Sequence, residues 1–472
     1  MPKLNNTYDA IIIGAGISGL VCGCYLAKAG MKVLIVEQHN KPGGYFTSFK
    51  RRGFLFDAAA HSFGNYREGG LVRKVLTELA VDKMIKILRF DPSDIIITPD
   101  FKMTFYNDIK DTTTKLANIF PKEKDNIIKF FNFLTSANQF EFVKLKDKTF
   151  SFLLHSFFKD EKLINSFALP VLGNGGLPPS LMHAFSGSKI FTESLIDGGY
   201  YPEGGIQNLP NALDSIIRQN NGNIFYRRLI KKILVKRNSV IGVKLDNNET
   251  FISKNVVSAC DMTQTFKTLL GRKIIGNQVI YKLNHMVPSV STFILYIGIT
   301  KPFNGLPPPG TNTWYLPYYD LDKIYDRIQK CDFGKAGMYM LRVSPDEKTI
   351  LVFIGAPFKT RLYWERNKKK LAEEFLNRIE EHFTDIRKHV AYFDAATPST
   401  LFRYTLNYKG AAFGWAKMPS QIFDSILSKT TSINGLYLTG HWTGIASGLP
   451  GAFYGGYTIA RRILRKEKIY TS

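Results

Sequence analysis

The sequence predicts an α/β protein in which one doubly wound sheet is assembled from three separated stretches, with an α+β domain interleaved between them. Three observations predict it. A strand, glycine turn and helix open the chain; a matching strand, turn and helix close it; and a glycine loop, helix and run of short strands sit midway. At 472 residues the chain also exceeds what one core ordinarily fills, which argues for two joined domains.

The opening element begins with Tyr8-Asp9-Ala10-Ile11-Ile12-Ile13, continuously apolar as buried parallel strands are. Gly14-Ala15-Gly16-Ile17-Ser18-Gly19 follows at once, then helical spacing through Leu20, Tyr25, Leu26 and Ala29. Residues 32–36 form a second strand, which Glu37 ends. Gly14 permits the tight turn, Gly16 lets the backbone approach a pyrophosphate, and Gly19 lets the helix pack closely on the strand. The helix N-terminus offers free amides and a partial positive charge to phosphates. Glu37, 18 residues after Gly19, is placed to accept hydrogen bonds from ribose hydroxyls, and its charge disfavours a 2′-phosphate there. Strand, turn, helix, second strand and acid in register mark a Rossmann-type dinucleotide site.

The closing element is a strand over 435–440 that runs into Gly440, a small-residue loop over 441–449, and a helix opened by Pro450-Gly451-Ala452 that continues to about residue 464. Its N-terminus, aimed at a bound ring system, would stabilise negative charge there. Midway, glycines 198, 199, 204 and 205 precede a helix with apolar spacing at Ile206, Leu209, Leu213 and Ile216. Strands are expected over 223–226, 229–235, 240–245 and 251–258. The dinucleotide domain is therefore expected to comprise 1–75, 200–272 and 425–472. An aromatic-rich, substrate- or membrane-facing region fills 76–199, and a β-rich substrate region 273–424.

Beyond Glu37 the chain reads Gln38-His39-Asn40-Lys41-Pro42-Gly43-Gly44, then Phe54-Leu55-Phe56-Asp57. A glycine pair at this distance is similar to flavoproteins of the amine oxidase and phytoene desaturase superfamily, where it lets the chain run against the cofactor. The midway order resembles phytoene desaturases, carotenoid isomerases and retinol saturases. So do Ala396-Thr397-Pro398-Ser399-Thr400 and Gly410-Ala411-Ala412-Phe413-Gly414-Trp415. The resemblance covers both ends and the middle, and only the last two segments favour the polyene-modifying branch.

That resemblance implies FAD as cofactor. It would be held by Gly14, Ala15, Gly16, Ile17, Ser18, Gly19, Glu37, Gln38, Gly43 and Gly44. Ile230 would meet the adenine through its backbone, and Gly440, Pro450 and Gly451 would stand beside the flavin. Many such proteins carry an acid just after the last strand's glycine; His441 stands there here, closer to the phytoene desaturases than to the amine oxidases. The implied activity is that of an FAD-dependent oxidoreductase acting on carbon–carbon double bonds of an apolar isoprenoid or polyene, by desaturation, saturation or isomerisation. A flavin amine oxidase is one alternative, disfavoured by the charge and by His441. A flavin-bearing peripheral membrane protein without turnover is the other.

Composition bounds the rest. Apolar residues at 44% and charged residues at 22% are those of a soluble globular protein. The apolar run over 290–299 falls short of the ~20 residues a spanning helix needs, and residues 1–9 carry no apolar signal segment. A cytoplasmic protein, at most peripheral to a membrane, is expected. The net charge of +24 suits an anionic partner. With no nucleic-acid module recognisable, an anionic membrane surface is the expected one, and nucleic acid is not. Basic clusters at Arg227-Arg228 with Lys231-Lys232, at Lys368-Lys369-Lys370, and at Arg461-Arg462 with Arg465-Lys466 would meet headgroups.

Phenylalanines 130, 131, 133, 140, 142, 150, 152, 157, 158 and 167 suit a packed helical core, an apolar substrate tunnel or a bilayer-facing surface. Neither the four cysteines nor the eight histidines have ligand spacing, so no metal site is expected and Cys22 and Cys24 are read as packing residues. No constellation of side chains is assigned a catalytic role, because in such enzymes the cofactor carries the hard chemistry.

Overall fold

The computed structural model describes residues 6–136, 144–428, 431–444 and 448–469; Phe140 and Phe142 lie outside the described residues. Two large sheets organise the chain. Their strands are, in chain order, β1 (Ala10–Ile13), β2 (Val33–Val36), β3 (Asp94–Ile97), β4 (Lys102–Phe105), β5 (Asn223–Phe225), β6 (Val256–Ser258), β7 (Ser291–Ile299), β8 (Asn312–Tyr315), β9 (Tyr339–Val343), β10 (Thr349–Ala356), β11 (Val390–Ala396) and β12 (Leu436–Leu438). Three helices matter for the site: α1 (Ile17–Lys28), α2 (Asn208–Gln219) and α3 (Gly448–Lys466).

The first sheet is parallel, in the order β12–β6–β1–β2–β5, so strands from the beginning, middle and end of the chain lie side by side. Every residue of β1 and β2 is buried, as their unbroken apolar sequences require. Helix α1 packs against both α2 and α3. Cys22 and Cys24 are fully buried free thiols in that packing.

An antiparallel excursion of Ile230–Lys236, Ser239–Leu245 and Thr250–Ile252 leaves this sheet. The single strand expected over 251–258 is two. Between Thr250–Ile252 and β6, the buried Ser253 accepts the Asn255 N–H at 3.1 Å and donates to the Asp9 carbonyl, turning the chain from one sheet into the other. Local polarity there outweighs the apolar run on either side.

The second sheet runs β11–β7–β10–β9–β8–β3–β4. The apolar run over 290–299 becomes β7, paired on both edges to β10 and β11. Strands β3 and β4, from the aromatic-rich stretch, extend this sheet on its far side. Phe130, Phe131, Phe150, Phe158 and Phe167 pack with Phe105 and Phe191 into one cluster, each 2% exposed or less. Rings meet at 5.3 Å (Phe167–Phe191) and 6.0 Å (Phe130–Phe167). Of the eight described phenylalanines of this stretch, none lines the cavity described below; the aromatic density is a core rather than a tunnel. Among the described residues, no helix is long and apolar enough to cross a membrane.

Candidate functional site

A cavity of about 930 Å³ opens between the two sheets, lined from both. Ligand pockets span roughly 300–1,000 Å³, so this one is large. One end is the glycine turn. Gly14, Gly16, Ile17 and Ser18 line it together with Glu37, Gln38 and Ile230. Helix α1 carries neither a side-chain cap nor an acid in its first turn, leaving its N-terminal amides without helical partners. A Cβ added at Gly16 would meet no heavy atom within 4 Å, whereas one at Gly19 would overlap the Gly14 carbonyl. Gly16 therefore opens onto the cavity, and Gly19 serves the packing of α1 on β1.

Glu37 is fixed by backbone. The Ala15 N–H donates to its Oε2 and the His39 N–H to its Oε1, both at 2.7 Å. Ala15 thus orients the acid from behind and does not line the cavity. Burial raises the Glu37 pKa, and these amide bonds oppose the rise. Arg228 and Lys231, expected among the headgroup clusters, line this end as well. Lys368 also lines the cavity and pairs with Asp394 at 2.6 Å.

In the middle, Gly43 and Gly44 adopt φ of 125° and 63°, conformations that favour glycine. The Gly43 N–H donates to the Ala15 carbonyl at 2.9 Å, holding the pair against the first turn. Gly440 and His441 face them, with Gly448, Leu449, Pro450 and Ala452 of α3. Helix α3 begins at Gly448, ahead of the predicted Pro450 start, and Gly451 is buried away from the cavity wall. His441 stacks on Tyr45 at 6.0 Å. Burial first, and the Lys417 charge second, push its imidazole down to about 3, so it is neutral at physiological pH. Lys417 is itself buried, is pushed down to about 8 by that burial, and donates to the Gly444 carbonyl at 3.2 Å.

The far end is apolar on one side, with Leu172, Ile190, Val290, Ile328, Met340 and Phe353. On the other stand His61, Ser62, Asn174, Glu193 and Asn312. Burial, then the Arg342 charge, pushes His61 down to about 3. Burial pushes Glu193 up to about 7 against the opposing charge of Lys189. Sequence reasoning missed these five residues. His61 and Ser62 follow closely on the Phe54-Leu55-Phe56-Asp57 motif, which was the available signal; the others are isolated in the chain and carried none.

The polar end suits a dinucleotide: exposed helix amides, a glycine with open space at its Cβ, and a fixed acid at ribose distance in the sequence pattern. The rest suits an apolar molecule. The family described as flavin containing amine oxidoreductase matches residues 17–464. Prolycopene isomerase 2 of an Oncidium hybrid cultivar is 24% identical over 501 residues, covering 97% of this chain and 84% of that protein. All-trans-retinol 13,14-reductase of Danio rerio is 25% identical, covering 97% and 87%. The lycopene-forming phytoene desaturase of Pseudescherichia vulneris is 24% identical, covering 93% and 96%.

Among solved structures, an oxidoreductase from Methanosarcina mazei superposes with a TM-score of 0.70 at 18% identity, covering 96% of this chain and all of that one. Putrescine oxidase bound to putrescine gives 0.67 at 14%, covering 97% and 99%. These neighbours share the fold. With the family match spanning nearly the whole chain, the chain belongs to the flavin containing amine oxidoreductases and is an oxidoreductase.

Proposed function

We propose that this oxidoreductase binds FAD and acts on carbon–carbon double bonds of an apolar isoprenoid or polyene. One observation carries the proposal: a continuous cavity joins the open face of Gly16 and the uncapped start of α1 to an end walled by aliphatic and aromatic side chains. Gly14, Gly16 and the amides of Ile17 and Ser18 would hold the diphosphate, and Glu37 the ribose, with Gln38, Arg228 and Lys231 beside them. The Ile230 backbone would meet adenine. Gly43, Gly44, Gly440 and Pro450 would flank the ring system. Ala15, Gly19 and Gly451 act behind this surface, by orienting Glu37 and by packing.

Once bound, FAD supplies hydride exchange with carbon. The chain's own residues hold an extended apolar molecule against it and exclude water. Neutral His61 and His441 keep positive charge from facing that molecule. The relatives aligned over nearly the whole chain bear polyene names, while the amine oxidases align at about 14% identity, which favours the polyene substrate over an amine. The stretches 1–75, 200–272 and 425–472 would form the cofactor domain.

An anionic bilayer is the proposed surface partner, met without spanning. Phe152, Leu181 and Phe423 are 50%, 41% and 55% exposed. They lie along one run: Ser151 donates to the Pro179 carbonyl, Phe150 to that of Met182, and the His183 ring meets Phe423 at 5.4 Å. Lys148 lies over Phe152, and the net charge of +24 complements the lipid. Co-sedimentation with anionic liposomes at low salt supports this attachment; protein left in the supernatant counts against it.

The substrate proposal is tested by anaerobic incubation of the flavin-loaded protein with carotenoids, retinoids and unsaturated lipids, read by chromatography. Conversion of a polyene supports it. Turnover of an amine with every polyene unchanged rejects it.

A further inference from the structure

Hydride transfer alone neither makes nor removes a carbon–carbon double bond; the neighbouring carbon must also lose or gain a proton. Among the described residues, three carboxylates line the cavity: Glu37, Glu193 and Asp394. Two are engaged. The amides of Ala15 and His39 fix Glu37 at the glycine turn, and Asp394 pairs with Lys368. Glu193 stands at the far end and is met by an uncharged group, Asn65 Nδ2 donating to its Oε1 at 3.3 Å. Burial pushes its carboxyl up to about 7. The exposed Lys189, one turn earlier, opposes the rise. Asp197, one turn on, adds to it, and Arg67, paired with Asp197 at 2.5 Å, opposes it. Glu193 can therefore hold or release a proton near neutral pH.

The backbone brings this acid to the cavity. The Asp197 N–H donates to the Thr192 carbonyl five residues back, at 2.8 Å, which makes Thr192–Ile196 a wide π-helical turn. Such turns are rare and recur at functional sites. A Cβ added at Gly64 would lie 2.0 Å from the Glu193 carbonyl oxygen, so only glycine lets the two backbones meet. Residues 58–64 line the cavity without a break, and the Ala60 N–H donates to the Tyr45 carbonyl at 3.2 Å, beside Gly43-Gly44. The four residues from Ala60 to Gly64 span at most about 14 Å. One short strip of wall thus joins the glycine pair to Glu193.

The other titratable groups nearby are poorly suited to the exchange. His61 stays neutral, held down by burial and by the charge of Arg342. Arg342 is packed behind the wall, over the rings of Phe90 and Tyr201. Asn312 donates to Ser62 Oγ at 3.4 Å and, behind the wall, to Asp94 Oδ1 at 3.1 Å. Burial raises the phenols of Tyr45, Tyr296 and Tyr325 and the Cys260 thiol, so these keep their protons.

We propose that Glu193 is the residue that exchanges a proton with substrate carbon. This rests on the polyene proposal above and adds the proton's route to it. In the saturating direction, one carbon of the double bond gains a hydride from the reduced cofactor and the other gains the Glu193 proton. Two C–H bonds replace the π bond, the flavin is oxidised, and the carboxylate left behind takes a proton from solvent. In the desaturating direction, the Glu193 carboxylate takes a proton from one carbon as hydride leaves its neighbour for the oxidised cofactor. The π bond forms between them.

The test compares the flavin-loaded full chain with Glu193→Gln, which keeps the shape but cannot exchange a proton, and Glu193→Asp, which keeps the acid. Without substrate, infrared difference spectra between pH 5 and pH 8 are expected to show a protonated carboxyl that titrates near 7 and is missing from Glu193→Gln. With the polyene that the substrate panel identifies, Glu193→Gln is expected to lose roughly a hundred- to ten-thousandfold in kcat, with KM and flavin content unchanged. Glu193→Asp recovers part of that loss. Wild-type kcat falls as pH rises through about 7 in the saturating direction and rises in the desaturating one. Turnover of Glu193→Gln within roughly tenfold of wild type, or a carboxyl band that it leaves in place, overturns the assignment while the polyene proposal stands. Where Glu193→Gln does not hold flavin, Glu193→Asp decides, and a pH profile identical to wild type overturns the assignment. Failure of every polyene to react rejects both proposals.

Discussion

Gly16→Val separates cofactor binding from folding, because the structure gives the two glycines of the first turn opposite surroundings. Gly16 sits at φ −67°, ψ 166°, an extended conformation that valine adopts readily. A Cβ there meets nothing within 4 Å. The cost to the ligand-free fold is therefore expected to stay below about 1 kcal/mol, chiefly from a poorer helix cap. The added methyl groups enter the space from which a diphosphate would reach the α1 amides. Losing one charge-assisted hydrogen bond costs about 1.5–3 kcal/mol, or roughly ten- to 150-fold in FAD affinity.

Gly19→Ala is the control with the reverse signature. Its Cβ would overlap the Gly14 carbonyl and press on Ala259 and Ile12 at 3.2 Å. Backbone cannot yield as a side chain does, so about 1–3 kcal/mol is lost from the fold itself, partly offset by roughly 1 kcal/mol of helix propensity. Thermal melts of the flavin-free variants and equilibrium titration with FAD distinguish the two. Wild-type FAD affinity in Gly16→Val, or a loss of apoprotein stability in it as large as in Gly19→Ala, would refute the reasoning.

Two further perturbations probe the interior. Burial lifts the Glu193 carboxyl from 4.5 to about 7, so the folded state holds its proton more tightly than the unfolded chain. That contribution is fully present below pH 4.5 and is lost as pH rises through about 7, by an amount on the order of 1–3 kcal/mol. Glu193→Gln should flatten the fall in urea midpoint between pH 5 and pH 8, and parallel curves for the two proteins would count against it. Phe167→Ala removes a fully buried ring that meets Phe158 at 5.5 Å and Phe191 at 5.3 Å. It should cost about 3–5 kcal/mol in stability while leaving FAD bound per folded molecule unchanged; a drop in that ratio would place the aromatic cluster in the cofactor site.

What was legible in the sequence is what local chain geometry dictates. The turn from Gly14 to Gly19, the acid at Glu37 and the pair Gly43-Gly44 each answer to backbone constraints spelled out within a few residues. Gly14, Gly16, Glu37, Gly43 and Gly44 accordingly line one cavity. The same locality does not tell Ala15, Gly19 and Gly451, which sit behind the cavity wall, from the residues that line it, since a motif records which residues are adjacent in sequence and not which face the cavity. The phenylalanines misled in another way. Density of aromatic residues reports apolar volume, and only tertiary packing decides whether that volume is a core or a channel.

Asp94, Asn312 and Arg342 were invisible for a third reason. Asp94 meets Asn312 through strand pairing between positions 218 apart, Arg342 joins them from the next strand of the sheet, and each alone is an ordinary polar residue in an apolar strand. The basic pair Arg228 and Lys231 shows the limit of charge counting: two residues of a cluster expected at a lipid headgroup line the glycine-turn end of the cavity. Its neighbours in sequence gave the sign of the charge but not its direction.

The most direct measurement is the flavin content of the folded chain. Purified protein should show the visible absorption bands of an oxidised flavin, and heat should release about one FAD per chain. Folded protein that stays colourless after incubation with FAD, and whose melting temperature FAD does not raise, would contradict the account at its root.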